Sequence, residues 1–156
     1  MIRPQVMHDG LRLRAAPVGL LNQGNTCYLN SVLQCLAHLP LLANAALDGT
    51  LEARVGAHQR GGVLGLLVAH VKEVLAIRGV EATAHQPTAI HSALASMREG
   101  TFRLGQQADA HECLRVLLGA VDADAPSGAS VVQWLFGGTL VSRILCEGCG
   151  IDWSSP

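Results

Sequence analysis

Apolar residues recur at helical spacing in four stretches of the chain. From Thr26 or Cys27, the residues Leu29, Val32, Leu33, Leu36 and Leu39 fall at i, i+3, i+4, i+7 and i+10, one face of a helix that Pro40 ends. Leu64, Leu67, Val68, Val71, Val74 and Leu75 repeat the spacing after Gly61-Gly62 and mark a core helix, with Gly79 placed as its C′ residue. Pro87 suits the first turn of a shorter helix carrying Ile90, Leu94 and Met97 and closed by Gly100. Asp109, with Glu112 three residues later, has the pattern of an N-cap ahead of Cys113, Leu114, Leu117, Leu118 and Val121.

Between these stretches the pattern breaks. Residues 1–16 show no period and read as an extension or loose strand, and residues 41–62 carry Asn44, Asp48-Gly49, Gly56 and Gly61-Gly62, a broken region with one short turn at most. Asp122 to Gly128 reads as a solvated linker. Residues 130–136 fit a short helix or a strand equally, with Trp134 and Phe136 as core anchors. Thr139 to Cys146 is rich in β-formers and is expected to be a strand.

Composition narrows the class. A chain of 156 residues is long enough for one domain with a real core, and 49% of it is hydrophobic against 15% charged. The formal net charge of -1 offers no basic field for nucleic acid or an anionic membrane. No apolar run approaches the roughly 18 residues of a spanning helix, and the N-terminus lacks the apolar core of a signal peptide. The expectation is an intracellular protein of cytoplasm or nucleus. Five widely spread cysteines do not form a disulfide framework, which agrees with that compartment. Cys35 and Cys113 lie within helical patterns and read as small core hydrophobes.

Cys27 is different. The seven residues from Gly19 to Asn25 hold two glycines and two asparagines, a loop able to enter positive φ, and the helical pattern begins directly behind it. A thiol at a loop-to-helix junction faces unpaired N–H groups and the positive end of the helix, which favour the thiolate. Asn22, five residues upstream, offers an amide that with the Cys27 N–H would make the two donors of an oxyanion hole. The bland alternative is a buried, inert cysteine.

The run from Gly19 to Gln34 resembles the cysteine box of the ubiquitin-specific proteases, papain-like thiol hydrolases. The resemblance implies that Cys27 is the nucleophile and Asn22 the oxyanion-hole residue. Gln107-Ala108-Asp109-Ala110-His111-Glu112 is similar to the family's second box, with Cys113 where an aromatic is usual. By that resemblance Gln107 and Asp109 lie beside the channel that admits the C-terminal tail of ubiquitin; as a capping residue alone, Asp109 would need no substrate. A zincin reading of His111-Glu112 fails because position 115 is Arg.

Cys146-Glu147-Gly148-Cys149 is a knuckle that can present two thiolates to one metal, half of a tetrahedral site, or else a redox pair. The resemblance implies the first half of a structural zinc site in the family's fingers; no cofactor is needed for catalysis. A thiol protease also needs a general base and a group to orient it. None of the seven histidines has a motif for this: His38 lies eleven residues along the helix of Cys27, about 16 Å away at 1.5 Å per residue, and His85 and His91 read as solvated polar residues. The family's base lies in a Gly-His-Tyr box not found here. The implied fold class is α+β, a papain-like fold represented by its helical thumb and the first strand of its fingers. Residues 1–16 would be an extension and 17–156 a partial catalytic domain, a fragment or a natural truncation. The implied function is a deubiquitinating hydrolase acting on ubiquitin and ubiquitinated proteins, inactive in this chain alone. The alternative is a ubiquitin-binding scaffold module without the base.

Overall fold

The computed structural model describes residues 18–55, 62–75, 84–97, 101–126 and 128–155. The expected N-terminal extension and the roles given to Gly79 and Gly100 lie outside them. Among the described residues seven helices carry the core: α1 (Cys27–Ala37), α2 (Pro40–Leu47), α3 (Thr50–Val55), α4 (Val63–Leu75), α5 (Thr88–Met97), α6 (Ala110–Ala123) and α7 (Val131–Phe136). Four short strands complete the described chain: β1 (Gly19–Leu20), β2 (Ala84–His85), β3 (Ser142–Leu145) and β4 (Asp152–Ser155). The first two pair in parallel and the last two antiparallel, so the class is α+β with helices dominant.

One apolar cluster joins α1, α2, α4, α5 and α6. Leu29, Leu33, Leu67, Val71, Leu94, Phe102, Cys113 and Leu117 are all at most 2% exposed within it. All but Phe102, which lies in the turn before α6, come from the apolar stripe of their own helix, and burial of those stripes supplies the hydrophobic drive. Among the described residues no helix is long and apolar enough to cross a membrane.

Several local expectations are corrected. Residues 41–47 and 50–55 are helical, because Pro40 opens α2 at its first turn instead of only closing α1, and Leu42, Ala45, Ala46 and Leu51 are buried. Residues 131–136 form helix α7, capped by Ser130 Oγ, which accepts the Gln133 N–H at 2.8 Å. Only Val131 of that helix is buried. Phe136 is exposed, and Trp134 is half-buried with the Arg54 guanidinium 4.3 Å from its ring centroid. Cys35 is exposed, on the outer side of α1, whereas Cys113 is buried as expected.

The supposed linker after α6 is a double capping device. Asp122 accepts the Val132 N–H at 2.9 Å and the Ser130 hydroxyl at 2.7 Å. These bonds hold its carboxyl below the usual carboxylate range. Asp124 reaches across the fold and accepts the Leu64 N–H in the first turn of α4 at 2.9 Å. This close approach explains Gly62: a Cβ there would stand 2.2 Å from Asp124 Oδ2. Asp124→Ala and Gly62→Ala should each lower stability by about 1 kcal/mol, the worth of a lost cap. Because both break the same bond, the double variant should cost little more than either single one in urea denaturation.

Candidate active site

The geometry around Cys27 begins with the side chain of Asn22. Its Oδ1 accepts three hydrogen bonds: from the N–H of Gly24 at 3.1 Å, the N–H of Thr26 at 3.1 Å and the Thr26 hydroxyl at 3.2 Å. Three donors around one atom require it to be the oxygen, so the amide nitrogen is the end left for another acceptor. Gly24 at φ 90° and Asn25 at φ 56° turn the backbone through the left-handed region, as the Gly-Asn pair allows.

Thr26 is the N-cap residue of α1, yet its hydroxyl does not cap the helix. It is drawn back into the loop, accepting the Gln23 N–H at 3.0 Å while it donates to Asn22. The first intrahelical bond runs from Asn30 N–H to Thr26 C=O at 3.0 Å. No side chain therefore competes for the leading N–H groups of α1, and Cys27, the first helical residue, is exposed beside them. Cys27 is thus open to solvent and not sealed in the core.

Two further sets of bonds fasten the loop. From α1, Asn30 Nδ2 donates to the carbonyls of Leu20 and Leu21, and Gln34 Nε2 donates to that of Val18 at 2.7 Å, fixing β1 against the helix. Beyond β1, Leu21 N–H donates to His85 C=O at 2.9 Å and Gln23 Nε2 to Thr88 Oγ1 at 3.1 Å, tying the loop to β2 and α5.

The other side is a clamp between the two sequence boxes. Gly105 N–H donates to Gly24 C=O at 3.0 Å, and Asn25 Nδ2 donates to Gly105 C=O at 2.9 Å. Gly105 itself has φ 81°. The clamp holds the segment 106–109 next to the Cys27 loop, with Gln107 and Asp109 both exposed. Asp109 caps α6 as the spacing predicts, its Oδ1 accepting the Glu112 N–H at 2.9 Å. Under the clamp, the Tyr28 and Phe102 rings stack at 5.9 Å between centroids, an interplanar angle of 28°. Gly105, Asn25 and Thr26 were missed by motif reading; a glycine after Phe102 was the only hint, since pairing across 80 residues leaves no local signature.

Burial sets the electrostatics here. Desolvation pushes the Cys113 thiol up to about 11, and the same cause raises Tyr28, with smaller contributions from Cys113 and Cys27. The histidines depart from expectation. His91 is buried, and His85 is half-buried, with its ring 5.3 Å from that of His70. His70 is buried with both ring nitrogens unpartnered, and burial, then His85 and His38, lower it to about 4. His38 binds the carbonyl of Gln34 through Nδ1 at 2.8 Å. Among the described residues, none of these rings hydrogen-bonds to Cys27.

The C-x-x-C lies in the turn between β3 and β4, which the Cys146 N–H closes on Ile151 C=O at 2.9 Å. Both thiols are exposed, and hydrogen bonds from the Cys149 side chain, then from the Cys149 and Gly148 N–H groups, lower Cys146. Two soft sulfurs at this spacing fit half of a tetrahedral zinc site. Among the described residues no three His, Cys, Asp or Glu side chains form a metal-holding group.

Two outcomes follow. Iodoacetamide at pH 8 should label Cys27 while Cys113 stays unmodified in the native chain, as read by peptide mass spectrometry. The second concerns pH: His70 has a folded-state value below its unfolded 6.5, so the unfolded chain takes the proton first. Its contribution is intact above about pH 6.5 and is lost as pH falls toward 4, with His91 acting in the same direction. Urea denaturation should show a loss of about 2 kcal/mol between pH 7 and 5, and His70→Leu should remove most of that slope.

Comparison with known proteins agrees with this geometry. Residues 18–152 match the family described as ubiquitin carboxyl-terminal hydrolase. Ubiquitin carboxyl-terminal hydrolase 25 of Arabidopsis thaliana is 36% identical over an alignment covering 90% of this chain and 23% of that protein. Probable ubiquitin carboxyl-terminal hydrolase 16 of Schizosaccharomyces pombe is 38% identical, covering 84% of this chain and 30% of its own length. Among solved structures, that of the SAGA Ubp8/Sgf11/Sus1/Sgf73 DUB module bound to ubiquitin aldehyde superposes with a TM-score of 0.61 at 18% identity, covering 91% of this chain and 35% of that one. This chain thus spans less than a third of either curated relative and carries the fold of the corresponding part. On a family match that spans residues 18–152, nearly all of the described chain, the protein belongs to the ubiquitin carboxyl-terminal hydrolase family.

Proposed function

We propose that this chain supplies the nucleophile and oxyanion hole of a deubiquitinating thiol hydrolase. The observation that carries the reading is the junction at Cys27: an exposed thiol on the first residue of α1, with the leading helical N–H groups uncapped and the Asn22 carboxamide locked by its oxygen. In the reaction Cys27 Sγ attacks the carbonyl carbon of ubiquitin's terminal glycine. A C–S bond forms, and the carbonyl oxygen takes negative charge opposite the Cys27 N–H and Asn22 Nδ2. A general base takes the Cys27 thiol proton and, in its protonated form, returns it to the leaving amine as collapse breaks the C–N bond; water then hydrolyses the thioester. Gln107 and Asp109, held beside the loop by the Gly105 clamp, line the channel for the ubiquitin tail, and ubiquitinated proteins are the substrates.

Cys146 and Cys149 would contribute two ligands of a structural zinc site completed by other residues. Such a metal would crosslink the hairpin tip and take no part in catalysis. A second reading, a ubiquitin-binding module without activity, is favoured by the lack of a histidine partner for Cys27 among the described residues.

One experiment separates them. In a protein that joins this chain to the C-terminal remainder of the Arabidopsis thaliana relative, a ubiquitin C-terminal electrophile should form an adduct at Cys27. Cys27→Ser should abolish it, and Asn22→Ala should slow turnover about 10²- to 10³-fold, the range for one oxyanion donor. Labelling that survives Cys27→Ser refutes the assignment. Ubiquitin binding without adduct formation supports the module.

A further inference from the structure

The reaction makes no use of the histidines packed between α4 and β2. His70, near the middle of α4, is 4% exposed, and neither of its ring nitrogens has a hydrogen-bond partner. Buried polar groups in folded chains are normally paired, so two idle nitrogens on one ring call for an explanation. The ring lies 5.3 Å from that of His85, tilted by 45°. Both rings line a cavity of about 190 Å³ whose wall also includes Glu73, Thr88, Leu66 and Ile90. Glu73 follows His70 by three residues on α4, close to one turn and so on the same face.

We propose that His70 and His85 form a binding site for a divalent transition-metal ion such as zinc, which pins β2 to α4. The spacing of the rings carries this. When two imidazoles bind one tetrahedral zinc, each through a nitrogen about 2.0–2.1 Å from the metal, their ring centroids stand about 5 Å apart. Ring packing alone would accept the same separation, but it would leave the nitrogens of His70 desolvated and unused. Burial, then His85 and His38, keeps His70 neutral at physiological pH, and neutral imidazole is the ligating form. His38 itself does not line the cavity. Among the described residues no third His, Cys, Asp or Glu is assembled with the pair. The remaining positions on the metal therefore stay with water, or one is taken by Glu73 after rotation about its side-chain bonds. The ion would bear on Cys27 without touching it. His85 C=O accepts the Leu21 N–H at 2.9 Å and Thr88 Oγ1 accepts from Gln23 Nε2 at 3.1 Å, so fastening β2 also fastens the cysteine loop. The site stands on ring geometry and burial and does not depend on the proposed reaction.

The test titrates zinc into the full 156-residue chain after iodoacetamide has blocked its exposed thiols, which removes Cys27, Cys35, Cys146 and Cys149 as competing ligands. Saturable binding is expected by calorimetry, with the ring proton signals of His70 and His85 shifting together in NMR spectra. Losing a direct ligand costs more than losing an outer-shell partner, so His70→Gln and His85→Gln should each weaken zinc more than about tenfold. Glu73→Gln should weaken it less, and His111→Gln, exposed on α6, should leave it unchanged. His85 is half-buried, so its variant answers the question even where circular dichroism shows that His70→Gln unfolds the chain. Deuterium exchange of the Leu21 amide should slow when zinc is added to the parent chain and not when it is added to His85→Gln. Zinc binding that survives His85→Gln, or ring signals that do not move, would overturn the site. Leu21 exchange indifferent to zinc would overturn its hold on the loop.

Discussion

The carboxamide oxygen of Asn22 governs the arrangement on which the site depends. By accepting from Gly24, Thr26 and the Thr26 hydroxyl, it draws the one side chain that could cap α1 away from the helix. The consequence is a helix N-terminus whose N–H groups stay available to whatever lies at Cys27. Capping by Thr26 would stabilise an isolated helix by about 1 kcal/mol. Giving up that stabilisation for an open anion-binding end is a local conflict between folding and chemistry, resolved in favour of chemistry.

The loop tolerates this because it is held from three directions. Asn30 and Gln34 on α1 secure β1 from one side, the β1–β2 pairing secures it from another, and the Gly24–Gly105 and Asn25–Gly105 bonds close the third. Beneath it, Tyr28, Phe102 and Cys113 are buried, a firm floor for a strained turn. A functional loop on a rigid scaffold is the usual division of labour, and here the scaffold is a bundle of short helices capped by one another's aspartates.

The same fold is unevenly finished. Its helical part buries the apolar stripes of five helices in one cluster, whereas the last sixteen described residues are exposed throughout wherever the side chain is placed. Helices satisfy their own backbone groups and need only one covered face; a hairpin satisfies half of its backbone groups and leaves two edges open. The contrast between the two regions is that between a closed core and, among the described residues, a sheet with open edges.

Much of this was readable in the residues. Periodicity located α1, α4, α5 and α6, the Asp109 cap lies where the Asp-x-x-Glu spacing puts it, and Cys27 stands at the loop-to-helix junction that the Gly-Asn loop before it predicts. What could not be read were α2 and α3, whose glycine-interrupted sequence is helical because α2 packs against α3 and α4 and Leu42, Ala46 and Leu51 are buried. The Asp124 cap on α4 and the Gly105 clamp also escaped, as did the burial of His70 and His91. Each joins residues far apart in the chain, and nothing local distinguishes a histidine facing water from one facing a core. The sequence by itself determined where the candidate site lies, because a thiol, an amide and the turn between them are neighbours along the chain. Only the tertiary structure decided that the thiol is open, that the second box stands beside it and that the final hairpin is uncovered, because those depend on contacts that chain order does not contain.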